Sequence, residues 1–218
     1  MDSLLTVASH ARATLPLDVL IALTALAIAP FLFVMTTSFV RIVVVLSLVR
    51  SAIGAAALPP NTVLTGMAFV ITLVVMLPTW TAIDRSALQP YARGKLSTAQ
   101  ALERAAVPLR SFMLRQTRTR DLELFARIAH RPLAATTEAP LFVVLPAFVV
   151  GELRAAFAIG LSLYLPFVAI DLAVASILMG LGMFMLSPPV VSLPAKLLLF
   201  VMVDGWALVC GGVVSSFR

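Results

Sequence analysis

The amino-acid sequence predicts an all-α integral membrane protein with broken, proline-kinked helices in hairpins and a small amphipathic helical insertion. Of its 218 residues, 61% are hydrophobic and only 12% are charged, whereas soluble domains carry about 25% charged residues. The mean hydropathy is +1.06, and three apolar blocks flank one polar segment. A chain this apolar cannot bury its hydrophobic surface alone, so lipid or partner subunits must cover it.

The first apolar block runs from Leu17 to Val49. It exceeds the ~20 residues that one transmembrane helix needs, and we expect Pro30 to kink or divide it. After a polar turn, the second apolar block, from Val63 to Ile83, has the length of one helix. Residues 1–83 thus form the N-terminal membrane helices.

The N-terminus does not have the pattern of a secretory signal. Residues 1–16 carry Asp2 and only one arginine, Arg12, and the apolar run that follows is too long for the core of a signal peptide. We therefore expect this run to be retained as membrane structure.

Residues 84–138 form the polar insertion, which we expect to be helical. One predicted helix has its apolar side chains at the spacing of a single helical face: Ala99, Leu102, Ala106, Leu109 and Met113. Ser97 and Gln100 have the spacing of a capping box at its start. A second short helix is predicted after Asp121, with these residues buried: Leu122, Phe125 and Ile128.

The charge of this insertion does not decide its side of the membrane. It has ten Lys or Arg against five Asp or Glu, and the positive-inside rule would place it in the cytoplasm. That rule weakens for loops approaching about 60 residues, so the residues alone leave the orientation open.

Residues 139–218 hold the third apolar block, long enough for two to four membrane helices. Ionisable residues occur in or beside the apolar blocks at seven positions: Asp18, Arg41, Glu152, Arg154, Asp171, Lys196 and Asp204. Such residues are costly in a membrane and usually face a partner or a water-filled cavity. Glu152 and Arg154 point about 200° apart on a helix, so each needs a partner elsewhere, which favours an oligomer or a multi-subunit complex.

A methionine-rich stretch lies between Met179 and Pro189. Its glycines and prolines predict a loop or a broken helix, and methionine adapts to surfaces of varied shape. Either a soft hydrophobic plug or ordinary core or lipid contact would explain this composition.

Five segments in order carry a family resemblance: TTSFVRIVVVLSLVRSAIG (36–54), LPPNTVLTG (58–66), LPAFVVGELRAAFAIG (145–160), YLPFVAIDLAVASILMGLGM (164–183) and SLPAKLLLFVMVDGW (192–206). Over residues 15–217 the chain resembles the FliP/SctR family of type III secretion export-gate subunits. The resemblance implies a homopentameric pore in the bacterial inner membrane, through which unfolded secreted proteins pass. Flagellar members of the family usually begin with a cleaved signal peptide, and we see no such pattern here. In this respect the chain resembles the injectisome branch of the family, which would imply a role in virulence.

The resemblance also implies partners and a topology. The partners are SctS/FliQ-like and SctT/FliR-like subunits, with SctU/FlhB-like and SctV/FlhA-like export components alongside. It places the insertion of residues 84–138 in the periplasm, against the simple charge rule.

Individual residues carry the resemblance further. The pore gasket falls on Met183, Phe184 and Met185, with Phe184 where the family often has Met. The resemblance implies subunit contacts for Glu152, Arg154 and Lys196, with Arg154 in place of a lysine. For three further charged residues the resemblance implies only a structural role, as members of ion pairs inside the membrane: Arg41, Asp171 and Asp204.

Other classes of function fit the residues less well. The two histidines, His10 and His130, lie outside the apolar blocks and lack metalloprotease spacing, so we expect no enzyme, metal or cofactor. Nucleic-acid binding is disfavoured, since Tyr91 is the one candidate stacking platform in the basic segment. A small-solute transporter or channel remains the alternative, because broken helices and intramembrane charges also occur there.

Overall fold

A computed structural model describes residues 17–54, 59–131 and 139–217 of the chain. Over these ranges it is helical and contains no strand, which confirms the predicted all-α fold. The chain divides into two units between Val34 and Met35. The predicted N-terminal features before Leu17, and the predicted end of the insertion at Glu138, lie outside the described residues.

Helix α1 spans Leu17–Thr36, and its described side chains up to Leu32 are exposed. Pro30 lies inside α1 and does not divide it, so the predicted division at Pro30 is wrong. The break falls instead at Thr37 and Ser38, where the Phe39 backbone N–H donates to Thr37 Oγ1 (3.4 Å). Side-chain hydroxyls that bind nearby backbone groups compete with helical hydrogen bonds, which explains a break here.

Helix α2, Phe39–Ile53, lies at the centre of the second unit. It buries apolar residues at helical spacing: Ile42, Val45, Leu46, Val49 and Ile53. Its largest contact is with α7, Leu141–Gly180. The two helices approach closely where Gly160 meets Leu48, because a Cβ on Gly160 would lie 2.3 Å from Leu48 Cδ1. Glycine at this position therefore allows the central helix pair to pack.

Helix α3, Asn61–Ile83, continues through a π-helical turn, Asp84–Leu88, into α4, Gln89–Ala92. The helical path therefore runs on from the second apolar block into the polar insertion. Its length of 32 residues corresponds to about 48 Å, longer than the ~30 Å hydrocarbon core.

Helix α5, Thr98–Gln116, begins with the predicted capping box, in which Ser97 and Gln100 satisfy each other's backbone N–H groups. Its buried side chains are Phe112 and Met113 near its C-terminal end. The predicted helix is confirmed, but within the chain only the C-terminal part of its apolar face is covered, and Ala99, Leu102 and Ala106 are exposed. The buried contacts belong to the last turns of α5, so the periodicity continues beyond the part that packs.

Helix α6, Thr119–Ile128, buries Leu122 and half-buries Phe125 as predicted. Ile128 is 62% exposed, so its predicted burial is wrong. It occupies the last position of α6, where the helix ends and the face toward α7 ends with it.

Three helices follow in the third apolar block, within the predicted range: α7, α8 (Pro188–Met202) and α9 (Gly205–Ser215). Helix α7 has 40 residues, about 60 Å, and Pro146 and Pro166 lie inside it. Among the described residues, three helical stretches are long and apolar enough to cross a membrane: Val19–Thr36, Asn61–Ala92 and Leu141–Gly180. A fourth exists if α8 and α9, which meet at 64°, count as one span.

Backbone conformation explains the bend between α8 and α9. Asp204 has φ 51°, in the left-handed region that non-glycine residues seldom adopt. A Cβ on Gly205 would lie 2.2 Å from the Phe200 ring, so this position has room only for glycine. The Asp-Gly pair thus ends one helix and begins the next.

Candidate functional site

The α7–α8 connection presents three large apolar side chains at its tip. Helix α7 ends at Gly180, and Gly182 has φ 74°, which glycine adopts without strain. Met183 is 43% exposed, Phe184 79% and Met185 100%. The predicted break in the methionine-rich stretch is confirmed, whereas its role as a pore gasket stays a prediction.

A buried ion pair joins α2 to α7. The Nε of Arg41 donates to Glu152 Oε2 at 2.9 Å, and its second amino nitrogen donates to Glu152 Oε1. The side chains are 4% and 0% exposed. The planar guanidinium matches the two carboxylate oxygens, which lysine could not do.

The remaining donors of Arg41 are also used. They reach the Ser216 backbone carbonyl and hydroxyl at 3.0 Å each, and Gln116 Oε1 at 3.3 Å. Arg41 also lies 3.9 Å from the centre of the Phe217 ring. One arginine on α2 thereby ties together α5, α7 and the C-terminal end of the chain. Sequence reasoning missed Gln116, Ser216 and Phe217, because nothing in their spacing relates them to Arg41.

A second ionic cluster lies further along α7. Lys196 Nζ on α8 donates to Asp171 Oδ2 at 2.6 Å and to the Ala52 carbonyl at 3.3 Å. The Ser192 hydroxyl donates to the other oxygen of Asp171. The cluster holds the α7–α8 hairpin closed and attaches it to the end of α2. It lies about 28 Å along α7 from Glu152, by the helical rise of 19 residues.

The third ion pair attaches the insertion to α7. Arg154 donates to both oxygens of Asp121 on α6, at 2.5 and 2.8 Å. The hydrogen bonds from Arg154 lower the pKa of Asp121, outweighing the opposing effect of burial. Asp121 is 3% exposed, so the pair fixes α6 by a charged contact at its first turn.

Five of the seven predicted charges find partners within one chain: Arg41, Glu152, Arg154, Asp171 and Lys196. Glu152 and Arg154 do require separate partners, as their spacing indicated, but Arg41 and Asp121 supply them. These pairs therefore do not by themselves argue for an oligomer. Asp204 is exposed and forms no ion pair within the described residues, so its expected structural pairing is not seen. The side chain of Asp18 lies outside the described residues.

Long apolar helices, ionic clusters buried between them and an exposed apolar hairpin tip define a helical membrane protein with a polar insertion. The FliP family model matches residues 22–213. The chain belongs to the FliP family.

Named relatives agree with this assignment. The chain is 48% identical to the flagellar biosynthetic protein FliP of Pectobacterium carotovorum subsp. carotovorum over 205 residues, covering 94% of this chain and 80% of the relative. It is 48% identical to that of Caulobacter vibrioides over 197 residues, 90% of this chain and 74% of the relative. It is 42% identical to that of Bacillus subtilis over 199 residues, 91% and 90% of the two chains.

Proposed function

We propose that this protein is a core subunit of a type III protein export apparatus in the bacterial inner membrane. In this role five copies form a pore through which unfolded proteins pass, and the chain performs no chemical step. Membership of the FliP family and relatives named flagellar biosynthetic proteins support the proposal. The structural observation that carries it is the hairpin tip, where Met183, Phe184 and Met185 project from a closed helix pair.

The hairpin suits a pore gasket for a physical reason. Met183 and Met185 have flexible, polarizable side chains that can close against each other and around an unfolded chain of any sequence. A ring of such apolar side chains also excludes water and ions when no substrate is present. The Asp171–Lys196 pair at the base of the hairpin keeps the tip in place.

Exposed apolar surface supports assembly with other subunits. In the apolar 18-residue windows that mark the 61–92 and 141–180 spans as membrane helices, only 28% and 11% of the residues are buried within the chain. Helices of about 48 to 60 Å exceed the ~30 Å hydrocarbon core, so lipid alone would leave part of them in water. We propose that further copies cover the parts of this surface that lipid does not reach. Subunits like SctS/FliQ and SctT/FliR join them, with SctU/FlhB-like and SctV/FlhA-like components alongside.

The proposal also specifies the kind of export apparatus, which is either that of a flagellum or that of an injectisome. The N-terminal pattern favoured an injectisome with a role in virulence, but the named relatives of the chain are flagellar proteins. These names favour a flagellar apparatus for this chain. To separate the two branches, we would express the chain in a fliP-deletion strain and in a strain that lacks the injectisome subunit. Motility is measured in the first strain and effector secretion in the second. Rescue of motility alone is expected.

Assembly provides the first test. We would co-express the chain with FliQ-like and FliR-like partners and measure the mass of the purified complex by native mass spectrometry. Five copies carrying both partners are expected. A monomer or dimer that ignores both partners would contradict the proposal and favour a small-solute transporter.

Ion leakage tests the gasket. The triple variant Met183→Ala, Phe184→Ala, Met185→Ala should raise the ion leak of cells that contain the assembled complex. A matched control replaces two exposed apolar residues of the insertion, Leu102 and Ile128, with alanine, and should not leak. Equal leakage from both variants, at equal assembly, would contradict the gasket.

A further inference from the structure

A cleft lined by four arginines lies between α6 and the middle of α7. Its lining residues are Arg118, Arg120, Asp121, Leu124, Arg127 and Arg154, and its volume is about 440 Å³. The single carboxylate in the lining, Asp121, is already engaged by Arg154. Within the described part of the chain, Arg118, Arg120 and Arg127 make no side-chain hydrogen bond or ion pair. Three guanidinium groups are thus available around one concave space.

The other acidic residue of α6 does not neutralise this cleft. Glu123 lies three residues after Arg120 and four before Arg127, the spacings at which ion pairs form on a helix. It is exposed, forms no ion pair with either and does not line the cleft. The cleft therefore has the electrostatic character of an anion site, and arginine forks match phosphate oxygens in particular.

An exposed apolar face of α7 begins directly beside the arginines. Leu161 and Leu165 lie within about 20° of Arg154 on the helical wheel and are 61% and 60% exposed. Phe157, three residues after Arg154, is 58% exposed. A ligand that reaches the arginines can therefore extend along α7 over apolar side chains.

An apolar groove adjoins the same face. Leu48, Phe157, Gly160, Leu161 and Tyr164 line a space of about 250 Å³. The close packing of Gly160 on Leu48 forms its floor. Phe157 begins about 4.5 Å further along the helix than Arg154, by the rise of three residues, so the charged cleft and the apolar groove lie about one turn apart.

We propose that this bipartite surface binds an anionic phospholipid. The arginine cleft receives the phosphate headgroup, and an acyl chain lies along Phe157 and Leu161 in the groove. Charge complementarity selects this occupant, because a zwitterionic lipid has no net negative charge to offset the three available guanidinium groups, and a purely apolar helix has no anionic group at all. Basic pockets beside membrane helices are known to bind anionic headgroups. This proposal goes beyond the export function and does not depend on it, since it requires only a membrane around the helices.

Native mass spectrometry in neutral detergent tests the proposal, with phosphatidylglycerol and phosphatidylcholine as probes. The wild-type chain should bind phosphatidylglycerol at least tenfold more tightly. The triple variant Arg118→Gln, Arg120→Gln, Arg127→Gln should lose this preference. A matched control, Arg93→Gln, Lys95→Gln, Arg104→Gln, removes the same charge from exposed residues outside the cleft and should keep it. All of these variants keep both members of the Asp121–Arg154 pair, and equal unfolding temperatures would show that the fold is intact.

A second variant separates a lipid from a free anion. Phe157→Ser, Leu161→Ser should weaken phosphatidylglycerol binding at least fivefold, while competition by inorganic phosphate at the arginines stays unchanged. Undiminished lipid binding by this variant would show that the cleft takes a phosphate group alone, and would overturn the proposal. It is also overturned if the arginine variant keeps its lipid preference, or if it loses self-association at unchanged lipid binding, which would mark an interface between copies.

Discussion

Arg41 on α2 and Glu152 on α7 form a bidentate ion pair that is buried between the two helices with the largest mutual contact in the fold. They are 111 residues apart in the chain. The pair uses both carboxylate oxygens, and hydrogen bonds to Gln116 and Ser216 satisfy the other arginine donors. Breaking such a pair from one side leaves a buried charge without a counterion, which is costly.

Glu152→Ala should therefore lower the free energy of unfolding by about 3 to 5 kcal/mol. Thermal or denaturant unfolding in detergent micelles measures this change. The control Glu123→Ala removes an exposed carboxylate of α6 and should cost less than about 0.5 kcal/mol. Replacing both partners, Arg41→Met with Glu152→Leu, should be milder than Glu152→Ala alone, because neither charge is left behind. Equal stability of Glu152→Ala and the wild type would contradict this account.

In the second pair, Lys196 with Asp171, removing the aspartate should lower the stability more than removing the lysine. The Lys196 side chain is 4% exposed and that of Asp171 27%. Asp171→Ala leaves a buried ammonium with only the Ala52 carbonyl, and should cost on the order of 3 kcal/mol. Lys196→Met leaves a carboxylate that water can reach and Ser192 still serves, and should cost on the order of 1 kcal/mol. The reverse order in unfolding experiments would contradict the burial argument.

Asp204 tests whether conformation or charge matters at the bend between α8 and α9. Its φ of 51° favours Asn or Gly and disfavours branched or bulky side chains. Asp204→Asn should leave stability nearly unchanged, whereas Asp204→Leu should lower it by about 1 to 2 kcal/mol. Unfolding of the two variants side by side gives the comparison. If Asn proves as harmful as Leu, the charge of Asp204 has a partner outside the described residues.

Gly205→Ala should lower the stability of the protein more than alanine does at a glycine with free space around it. The new Cβ would lie 2.2 Å from the Phe200 ring, and overpacking of this kind costs about 1 to 3 kcal/mol. Gly66 is the matched control, because a Cβ added there would have no neighbour within 4 Å, and it should tolerate alanine in its helix. Phe200→Leu should partly restore the stability of Gly205→Ala, which circular dichroism on heating would measure.

The pair of Asp121 and Arg154 gives the insertion a pH dependence. The pKa of Asp121 lies below its ordinary value, chiefly because Arg154 donates hydrogen bonds to the carboxylate. A lowered folded-state pKa stabilises the fold above the unfolded-state pKa of about 4. That contribution is lost as the pH falls further, through the folded-state pKa.

Comparison with Asp121→Asn isolates this effect. The unfolding temperature of the wild type should exceed that of the variant from pH 7 down to about pH 4, and the difference should shrink at lower pH. Glu123→Gln on the same helix should show no such trend, since Glu123 forms no ion pair among the described residues. A difference between wild type and Asp121→Asn that persists at low pH would contradict the ionic explanation.

The sequence predicted local features well where a short-range rule governs them. The capping box of Ser97 and Gln100 and the break after Gly180 depend on residues within a few positions of each other. Predictions failed where packing decides the outcome. Ile128 was predicted to be buried, yet it is 62% exposed, because the helix ends at this residue. Pro30 is compatible with a continuing helix, which ends instead beside Thr37, whose hydroxyl accepts a hydrogen bond from the Phe39 backbone N–H.

Composition and hydrophobic run length alone determined that this chain is an all-α membrane protein with a polar helical insertion, because the requirement to satisfy backbone polar groups in an apolar medium leaves little choice but helix. The family resemblance, too, depends only on the order of residues. Tertiary structure alone decided which charges meet. Arg41 with Glu152, Asp121 with Arg154 and Asp171 with Lys196 are 25 to 111 residues apart, and such contacts depend on how helices pack, which no short-range pattern encodes.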